Sequence, residues 1–171
     1  MIIALFPGSF KPPHSGHLQV IKSLPKNTNI IYIIISQKPR SIPNYGEITA
    51  KTSYDIWKLY ASTLPINLQN KIKIIIANQP SPILFGYVLI KNKIKPTDTL
   101  LLLKSQKDEK NKRFSMFDNL DCKKNIIIIP TFKKFNSTSI RELISLKKWK
   151  QIEEYIPKKV QSQTIDILKN L

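Results

Sequence analysis

The sequence predicts an α/β fold, and three observations lead to this prediction. Five short runs rich in isoleucine and leucine are each about as long as a β-strand. Their apolar residues are continuous instead of alternating, which is typical of parallel strands covered by helices on both faces. The segments between the runs are long, and several carry the apolar spacing of a helix. These patterns predict a single Rossmann-like, doubly wound domain over residues 1–171, with a five-stranded parallel sheet and a C-terminal helical tail.

The first half of the chain supplies three of the strands. Residues 2–6 form the first apolar run and end at a Pro-Gly pair, and helical spacing follows over residues 17–24. Isoleucine dominates residues 29–35, which are predicted to be the second strand. The longest helix is predicted over residues 49–64. The third strand is predicted over residues 71–77, where isoleucine is again frequent.

The second half of the chain supplies two more strands and the tail. A helix is predicted over residues 82–94, and the leucine run at residues 99–103 is the fourth strand. Residues 104–112 are rich in charged residues and are predicted to form a loop. Residues 125–129 are the fifth strand. The helical tail is predicted over residues 140–150 and again over residues 158–171.

The charge balance is strongly basic. The chain has 28 Lys and Arg residues against 11 Asp and Glu residues, which gives a formal net charge of +17. Such a field attracts the phosphates of a nucleotide, a nucleic acid or a membrane headgroup, and composition alone does not choose among them. An AT-rich coding sequence also raises Lys, Ile and Asn together. The charge by itself therefore assigns no function.

Two residue types limit the chemistry of the chain. The single cysteine, Cys122, excludes a disulfide within the chain and a cysteine-rich zinc site. His14 and His17 are the only histidines available for metal binding or acid–base work. The apolar runs are far shorter than the roughly 18 to 20 residues that span a bilayer, and the first residues lack a basic leader. We therefore expect a cytoplasmic protein with no membrane partner.

The segment after the first strand carries the most informative motif. It reads Pro-Gly-Ser-Phe-Lys-Pro-Pro-His-Ser-Gly-His over residues 7–17, and a helix is predicted to begin within it. Gly8 permits a tight turn and the close approach of a phosphate to its N–H. His14 and His17 are three residues apart, so the first helical turn places both imidazoles on one face, beside unpaired N–H groups. Because doubly wound sheets bind ligands at the carboxyl ends of their strands, the motif predicts an anion site.

This motif resembles that of the H-x-G-H nucleotidyltransferases, which include nicotinamide-nucleotide adenylyltransferases, pantetheine-phosphate adenylyltransferases and small cytidylyltransferases. Residues 8–17 are most similar to the nicotinamide-nucleotide branch, whose pattern is G-S-F-x-P-P-H-x-G-H. Bacterial pantetheine-phosphate enzymes usually carry Thr at the position of His14. Lys11 departs from the commonest members, which have Asp or Asn there. The resemblance implies that the nucleotide is bound by Gly8, Ser9, Phe10, His14, Gly16 and His17.

A second motif follows the fifth strand. Ser139 and Glu142 are spaced as a capping box, which predicts a helix start with free N–H groups and Arg141 beside them. Residues in register with the family's second signature, I-S-S-T-x-I-R, are Phe135, Asn136, Ser137, Thr138, Ile140 and Arg141, of which the first two depart from it. The resemblance implies that Ser137, Thr138 and Arg141 hold the β- and γ-phosphates of the triphosphate.

The resemblance implies a nucleotidyltransferase that releases pyrophosphate. A nucleoside monophosphate, AMP from ATP in preference to CMP from CTP, would move onto a small phosphorylated acceptor, with nicotinamide mononucleotide the acceptor that the first motif favours. The catalytic residues it implies are His14, His17 and Arg141, and Lys11 is placed to neutralise the acceptor and the α-phosphate together. Magnesium is expected to arrive with the nucleotide, because the sequence shows no dedicated carboxylate cage.

Other residues near the strand ends have two interpretations each. Lys38 and Arg40 follow the second strand and are candidates for the acceptor's phosphate, with two surface charges as the alternative. The family's G-x-D near the end of the fourth strand has no counterpart in residues 103–108. A basic run in the next loop is a candidate clamp over the nucleotide, with a solvated loop as the alternative: Lys107, Lys110, Lys112 and Arg113. Three aromatic residues on the second helix have the spacing of core residues: Tyr54, Trp57 and Tyr60.

Two alternatives to an adenylyltransferase stay open. A cytidylyltransferase acting on a phospho-alcohol shares the H-x-G-H motif. A non-catalytic module on the same fold would use its positive charge to bind nucleic acid, although the chain lacks the interleaved basic and aromatic pattern of single-strand binders. Salt separates these classes, because phosphate-backbone binding falls steeply with ionic strength. One chain leaves the oligomeric state undetermined.

Overall fold

A parallel β-sheet forms the centre of the protein. The structure, a computed structural model, describes residues 1–105, 112–129 and 135–171. Its strands are β1 (Ile2–Gly8), β2 (Ile30–Ile35), β3 (Arg40–Ile42), β4 (Gly46–Ile48), β5 (Ile72–Ile76), β6 (Thr99–Ser105) and β7 (Lys123–Ile129). The main sheet has the order β5-β2-β1-β6-β7, and each neighbouring pair is parallel. The predicted α/β class, the five parallel strands and the Rossmann-like winding are confirmed.

Helices cover both faces of this sheet. Their bounds are α1 (Ser15–Ser23), α2 (Ala50–Ser62), α3 (Ile66–Gln69), α4 (Pro82–Ile90), α5 (Ser137–Ser145), α6 (Trp149–Ile152) and α7 (Gln161–Lys169). The start of α2 is fixed by Thr49, whose hydroxyl accepts the Thr52 N–H at 3.1 Å. Ser81 caps α4 in the same way, with Pro82 at the first helical position. The C-terminal helix of the predicted tail is confirmed as α7.

Side chains of β1 alternate between two apolar clusters. Ala4 and Phe6 belong to the larger cluster, which includes buried residues of α1, α2, α5, α6 and α7. Ile3 and Leu5 belong to the smaller cluster, together with Ile90 of α4. Burial on both faces explains why the strand sequences are continuously apolar, since each successive side chain meets a different layer.

The helical tail is interrupted where the sequence predicts a continuous helix over residues 140–150. α5 ends at Ser145, and Lys147 adopts a φ of 54°, in the left-handed region. The Lys147 N–H bonds to the Ile144 carbonyl and the Lys148 N–H to the Leu143 carbonyl, both at 2.9 Å. This Schellman pattern ends helices most often at glycine, so a lysine in that position gives no sequence signal.

A two-stranded hairpin, β3 with β4, is absent from the sequence-based prediction. Each strand has three residues, too few for a recognisable period. Pro43 and Asn44 form its turn, in which Asn44 adopts a φ of 57° and the Tyr45 N–H bonds to the Ile42 carbonyl at 3.1 Å. Ile42 and Ile48 are buried in the larger cluster. The hairpin is therefore fastened to the body of the domain.

Two further predictions concern the loop after β6 and membrane-spanning helices. β6 continues to Ser105, so Lys104 lies in the strand and is buried, instead of beginning the predicted loop. Extended pairing with β7 explains the difference, because Lys104 and Ser105 stand opposite Ile128 and Ile129. Within the three described ranges, no helix combines the length and the apolarity that a membrane span requires.

Candidate functional site

The loop between β1 and α1 folds back over the end of its own strand. Phe10 adopts a φ of 52°, and its ring packs against Phe6 and Trp57 at centroid distances of 5.0 and 5.4 Å. A residue in the left-handed region costs about 1–2 kcal/mol. Burial of the phenylalanine ring stabilises the fold by about 1.5–3 kcal/mol and so offsets this cost. A Cβ at Gly8 would lie 2.7 Å from the Phe10 ring, so glycine is required beneath it.

Two side chains of helix α2 hold this loop by donating hydrogen bonds to its backbone carbonyl groups. The Ser53 hydroxyl donates to the Phe10 carbonyl at 2.6 Å, and the Tyr60 hydroxyl donates to the Pro13 carbonyl at 3.2 Å. Both hydrogen bonds are buried. The loop is therefore fixed on the α2 side before any ligand arrives.

The two histidines stack on each other at the start of α1. His14 is the N-cap residue and His17 stands three positions on, with ring centroids 3.6 Å apart and ring planes inclined by 21°. The His14 N–H donates to Nδ1 of His17 at 3.2 Å. The prediction that both imidazoles share one face of the first helical turn is confirmed, and they lie closer together than helical spacing alone requires.

Aromatic rings surround His17 on its inner side. The rings of Phe10, Phe6 and Trp57 lie at centroid distances of 4.9, 6.0 and 6.2 Å from it. Burial, and then the charge of His14, holds the pKa of His17 well below its usual range. Burial likewise lowers the pKa of His14 to about 4. Both imidazoles are therefore neutral at pH 7.

The hydrogen bond to His17 determines which nitrogen carries the proton. A neutral imidazole has one donor and one acceptor nitrogen. Because Nδ1 of His17 accepts the His14 N–H, Nε2 carries the hydrogen and is a donor. The site thus offers a donor that needs no positive charge on the ring.

Lys11 is a buried cation between the ends of β1 and β2. Its side chain is 1% exposed, and Nζ donates to the carbonyls of Ser9 and Ser36, each at 2.9 Å. Burial, followed by the nearby charge of Arg40, lowers the pKa of Lys11 to about 8. Lys11 is therefore largely protonated at neutral pH, and its charge is held where solvent does not screen it.

The second motif begins one helical turn earlier than the sequence predicts. Ser139 was expected to cap the helix with Glu142, and this prediction is wrong. The N-cap is Asn136, which has extended backbone angles and accepts the Ser139 N–H on Oδ1 at 2.7 Å. Ser137 and Thr138 therefore occupy the first helical turn, where backbone N–H groups have no partner within the helix.

Hydrogen bonds join the second motif to the first. The Ser137 hydroxyl donates to the Pro12 carbonyl at 2.8 Å, and Nη1 of Arg141 donates to the Lys11 carbonyl at 2.6 Å. Nη2 of Arg141 donates to the Thr138 hydroxyl at 3.1 Å. The N-termini of α1 and α5 thus meet at the carboxyl edge of the sheet, with the three predicted phosphate-binding side chains between them.

The remaining residues predicted to bind nucleotide have distinct positions. Gly16 lies under the histidine stack, where a Cβ would stand 3.0 Å from Nδ1 of His14. Ser9 contributes its carbonyl to Lys11. The Phe10 side chain is buried beneath His17, so its role in the structure is packing. Trp57 and Tyr60 are fully buried, which confirms the core positions predicted for them.

Part of the predicted clamp lies outside the described residues. Lys107 and Lys110 belong to residues 106–111, as do three of the six residues compared with the family's G-x-D. Residues 130–134 are also outside the described part. Arg113 lies in the described part, where Nη2 approaches the Pro7 carbonyl at 3.5 Å and the guanidinium lies over the Phe114 ring. Arg113 therefore packs against the domain next to the end of β1.

Sequence reasoning missed the residues that support the site. Ser53 and Tyr60 hold the loop through its carbonyls, and Asn136 caps α5. Asn136 was recognisable as a capping residue, but Glu142 made Ser139 the better match to a capping box. Hydrogen bonds from α2 to a loop some forty residues away leave no local pattern, so only the fold reveals them.

The hydrogen-bond donors of the site suit phosphate oxygens. They are ammonium, guanidinium, imidazole N–H and hydroxyl groups. Across the described ranges, no group of three or more His, Cys, Asp or Glu side chains is placed to hold a metal ion. The ion pairs of Met1 with Asp98 and of Lys51 with Asp55 lie outside the site.

Comparison with known proteins does not add a relationship. No protein-family model and no curated protein matches the chain. The inference of function therefore depends on the residues and geometry described above.

Proposed function

We propose that this protein is a nucleotidyltransferase that transfers AMP from ATP to a small phosphorylated acceptor and releases pyrophosphate. One observation carries the proposal: the two motifs, distant in sequence, are hydrogen-bonded to each other at the carboxyl edge of the sheet. Doubly wound sheets bind their ligands at this edge. Two helix N-termini, two neutral imidazoles and two buried or half-buried cations converge there, and each of these features binds phosphate.

The reaction is an in-line displacement at the α-phosphorus. An oxygen of the acceptor's phosphate forms a bond to that phosphorus, and the bond from phosphorus to the bridging oxygen of pyrophosphate breaks. The acceptor phosphate is already ionised near neutral pH, so no protein group has to remove a proton. Catalysis then depends on positioning and on stabilising the negative charge that develops.

His17 is assigned to the charge that develops around the reacting phosphorus. Its Nε2–H donor is fixed by the hydrogen bond that Nδ1 accepts from His14 and by the packed aromatic rings. A preorganised donor needs no reorganisation during the reaction, and in a dry site it stabilises charge more strongly than it would in water. His14, stacked on it, is assigned to the triphosphate oxygens.

The cations and the α5 N-terminus are assigned to the other phosphate groups. Ser137, Thr138 and Arg141 would bind the β- and γ-phosphates, exchanging their present hydrogen bonds for stronger bonds to charged oxygens. Lys11 would neutralise the α-phosphate and the incoming phosphate. Its buried position supports this role, because an unscreened cation attracts an anion more strongly.

Magnesium enters as part of the nucleotide substrate. The basic donors of the site match the phosphate oxygens that the ion leaves free, so Mg²⁺ would be held chiefly by the triphosphate and water. When bound there, it supplies charge neutralisation for the departing pyrophosphate.

The first experiment measures pyrophosphate release with magnesium, supplying ATP or CTP and a panel of acceptors. The panel contains nicotinamide mononucleotide, phosphopantetheine and simple phospho-alcohols. We expect release that requires ATP and one acceptor. Preference for CTP would identify a cytidylyltransferase, and a protein that binds neither nucleotide would overturn the proposed function in favour of the basic binding module.

Two substitutions of His17 test its assigned donor. His17→Asn keeps a polar group near the position of Nδ1 and removes Nε2, whereas His17→Gln keeps a donor near Nε2. We expect kcat to fall by about 10²–10³ in His17→Asn, because one preorganised donor is lost, and to fall less in His17→Gln. Gln19→Ala, an exposed change on the same helix, is the control. Equal activity in both histidine variants would contradict the assignment.

A further inference from the structure

We propose that the open edge of β7 binds a second copy of this chain. The two β7 strands would pair antiparallel about a twofold axis at Ile126 and join the two main sheets into one. This interaction surface does not depend on the proposed function. Four features of β7 support it: its edge position, its exposed isoleucines, its outward-directed backbone groups and its distribution of charge.

β7 is an edge strand with an apolar outer surface. Among the described strands, its neighbour in the sheet is β6 alone. Ile126 and Ile128 are 56% and 42% exposed, and because they are two residues apart they share one face of the strand. Edge strands are normally protected from pairing by charged side chains, proline or a covering element. Residues 125–129, Asn-Ile-Ile-Ile-Ile, present an edge with neither charge nor proline.

Alternate backbone groups of β7 point away from the sheet. The Lys123 N–H donates at 3.2 Å to the carbonyl of Asp98, the residue before β6. Since the backbone groups of successive residues in a strand point to opposite sides, Lys124, Ile126 and Ile128 direct their N–H and C=O groups to the open edge. A row of such groups is a template for another strand.

Antiparallel pairing of β7 with its own copy satisfies these groups. Opposed residues in an antiparallel pair alternate between hydrogen-bonded and non-hydrogen-bonded positions. With the axis at Ile126, this residue stands opposite itself, and Lys124 stands opposite Ile128 of the second copy. All the outward-directed residues then occupy hydrogen-bonded positions, and about six backbone hydrogen bonds form between the two copies.

The distribution of charge favours a second copy in this orientation. Two chains of net charge +17 repel each other, so they meet best on a surface with little charge. Parallel alignment would set each Lys124 beside its own copy, whereas antiparallel alignment sets it opposite an isoleucine. Nζ of Lys124 donates to the Leu120 carbonyl of its own chain, which holds the ammonium group away from the axis and leaves the aliphatic stem to cover that isoleucine. The isoleucines require an apolar partner strand, and β7 itself supplies one.

Sedimentation equilibrium of the unmutated protein, purified free of nucleic acid, tests for the dimer. We expect the mean mass to rise from 19.8 kDa toward twice that value as the protein concentration is raised from about 1 μM to about 1 mM. Because the copies repel, the dimer should become more stable when salt is raised from about 0.05 M to about 0.5 M. A protein that stays monomeric throughout would overturn the proposal. Association that weakens with salt would overturn it too, because an ionic contact would then hold the copies together.

Two lysine substitutions add the same charge to different surfaces. Ile126→Lys places it at the axis, whereas Val88→Lys places it on α4, at a residue that is 41% exposed. We expect Ile126→Lys to raise the Kd of the dimer about tenfold or more, because like charges then stand opposite each other, and Val88→Lys to change it by no more than about twofold. Circular dichroism checks that both proteins are folded. Equal effects of the two changes, or an unchanged dimer in Ile126→Lys, would contradict pairing through β7.

A cross-link tests the register, with the native thiol removed by Cys122→Ser. Residues opposed at a hydrogen-bonded position have Cα atoms about 5.5 Å apart, within the range of a disulfide, so Ile126→Cys should cross-link to its copy under mild oxidation. Ile128→Cys, on the same face, is the matched control, because its own copy stands four residues or about 13 Å away along the partner strand. Cross-linking through position 128 in preference to 126, or through neither in a protein that sediments as a dimer, would refute the proposed pairing.

Discussion

The histidine stack combines two properties that are hard to obtain together. Each imidazole is buried enough to remain neutral, yet Nε2 of His17 keeps a hydrogen that it can donate. Charged histidines would bind a triphosphate more tightly, but they would also hold pyrophosphate after the reaction. Neutral donors in a dry site favour the charge that develops in the transition state over the bound ground state.

Lys11 contributes the opposite kind of group, a cation kept charged despite burial. Its pKa is lowered to about 8, so its charge is present at pH 7 and is lost as the pH rises through 8. Two carbonyl acceptors hold the ammonium group in place and reduce the cost of burying it.

We predict an alkaline limb in the pH profile that belongs to Lys11. Because kcat/KM reports the free enzyme, it should fall about tenfold per pH unit above about pH 8, as Lys11 loses its proton. Initial rates from pH 6 to pH 10 measure this limb. In Lys11→Arg, whose side chain stays charged, the limb should move beyond the measured range, with circular dichroism as the check on folding.

A flat profile to pH 10 would contradict this prediction, and so would an unchanged limb in a folded Lys11→Arg protein. The histidines cannot produce the limb, because burial moves the pKa of both to lower values and they are already neutral at pH 8.

At the scale of elements, two helix N-termini meet at one edge of the sheet. α1 follows the central strand β1, and α5 follows the edge strand β7, yet Ser137 bonds to the Pro12 carbonyl. Each terminus contributes unpaired N–H groups and the positive end of a helix dipole. Their meeting concentrates positive potential where the triphosphate is expected, in addition to the charged side chains.

The start of α1 depends on the absence of a side chain at Gly16. A Cβ there would lie 3.0 Å from Nδ1 of His14 and 3.1 Å from Cβ of Phe135, closer than such contacts normally are. We predict that Gly16→Ala displaces His14 and lowers kcat by about tenfold or more, since small displacements of positioning groups carry large kinetic costs.

Stability should respond differently from activity in this variant. Alanine stabilises a helix by about 1 kcal/mol relative to glycine, and this gain offsets part of the cost of the close contacts. We therefore expect the free energy of unfolding, measured in urea, to change by no more than about 1 kcal/mol. Gln19→Ala is the exposed control. A Gly16→Ala protein with unchanged kcat would show that the histidine stack does not need its present position.

At the scale of the whole molecule, the net charge of +17 is compatible with either a nucleotide or a nucleic acid. Lys11 and Arg141 lie together at the junction of the two motifs, where Arg141 donates to the Lys11 carbonyl, whereas many other lysines lie on the exposed surface. A convergent set binds a compact anion, whereas a dispersed surface charge binds an extended one.

We predict that Mg·ATP stabilises the folded protein and that single-stranded RNA does not. At 100 times its Kd, a ligand specific for the folded state adds about 2.7 kcal/mol, which raises the Tm of a chain of this length by about 5–10 °C. Thermal unfolding followed by fluorescence, at about 0.15 M salt, measures this shift. A shift with RNA and none with Mg·ATP would favour the basic binding module.

The sequence predicted the sheet well because each strand is buried on both faces. Short, continuous apolar runs are compatible with few structures other than buried strands. All five strands of the main sheet are found at the predicted places. The first motif was predicted for a similar reason, since glycine, proline and histidine at fixed spacing restrict the local backbone. The spacing of three residues predicts that His14 and His17 share one face, but not that their rings stack at 3.6 Å.

Features that depend on distant contacts came only from the tertiary structure. Asn136, and not Ser139, caps α5. The hydrogen bond from the Ser137 hydroxyl to the Pro12 carbonyl joins the start of this helix to the first motif. The loop is held by Ser53 and Tyr60 of α2, and the β3–β4 hairpin is packed against the body of the domain through Ile42 and Ile48.

The division has a physical cause. Periodicity and turn chemistry act between near neighbours, so the sequence by itself determined the α/β class, the five strands and the two candidate phosphate motifs. Burial and hydrogen bonds between segments far apart in the chain decided the rest. They set the neutral state of the histidines, the lowered pKa of Lys11 and the contact of Arg141 with the loop that carries Lys11.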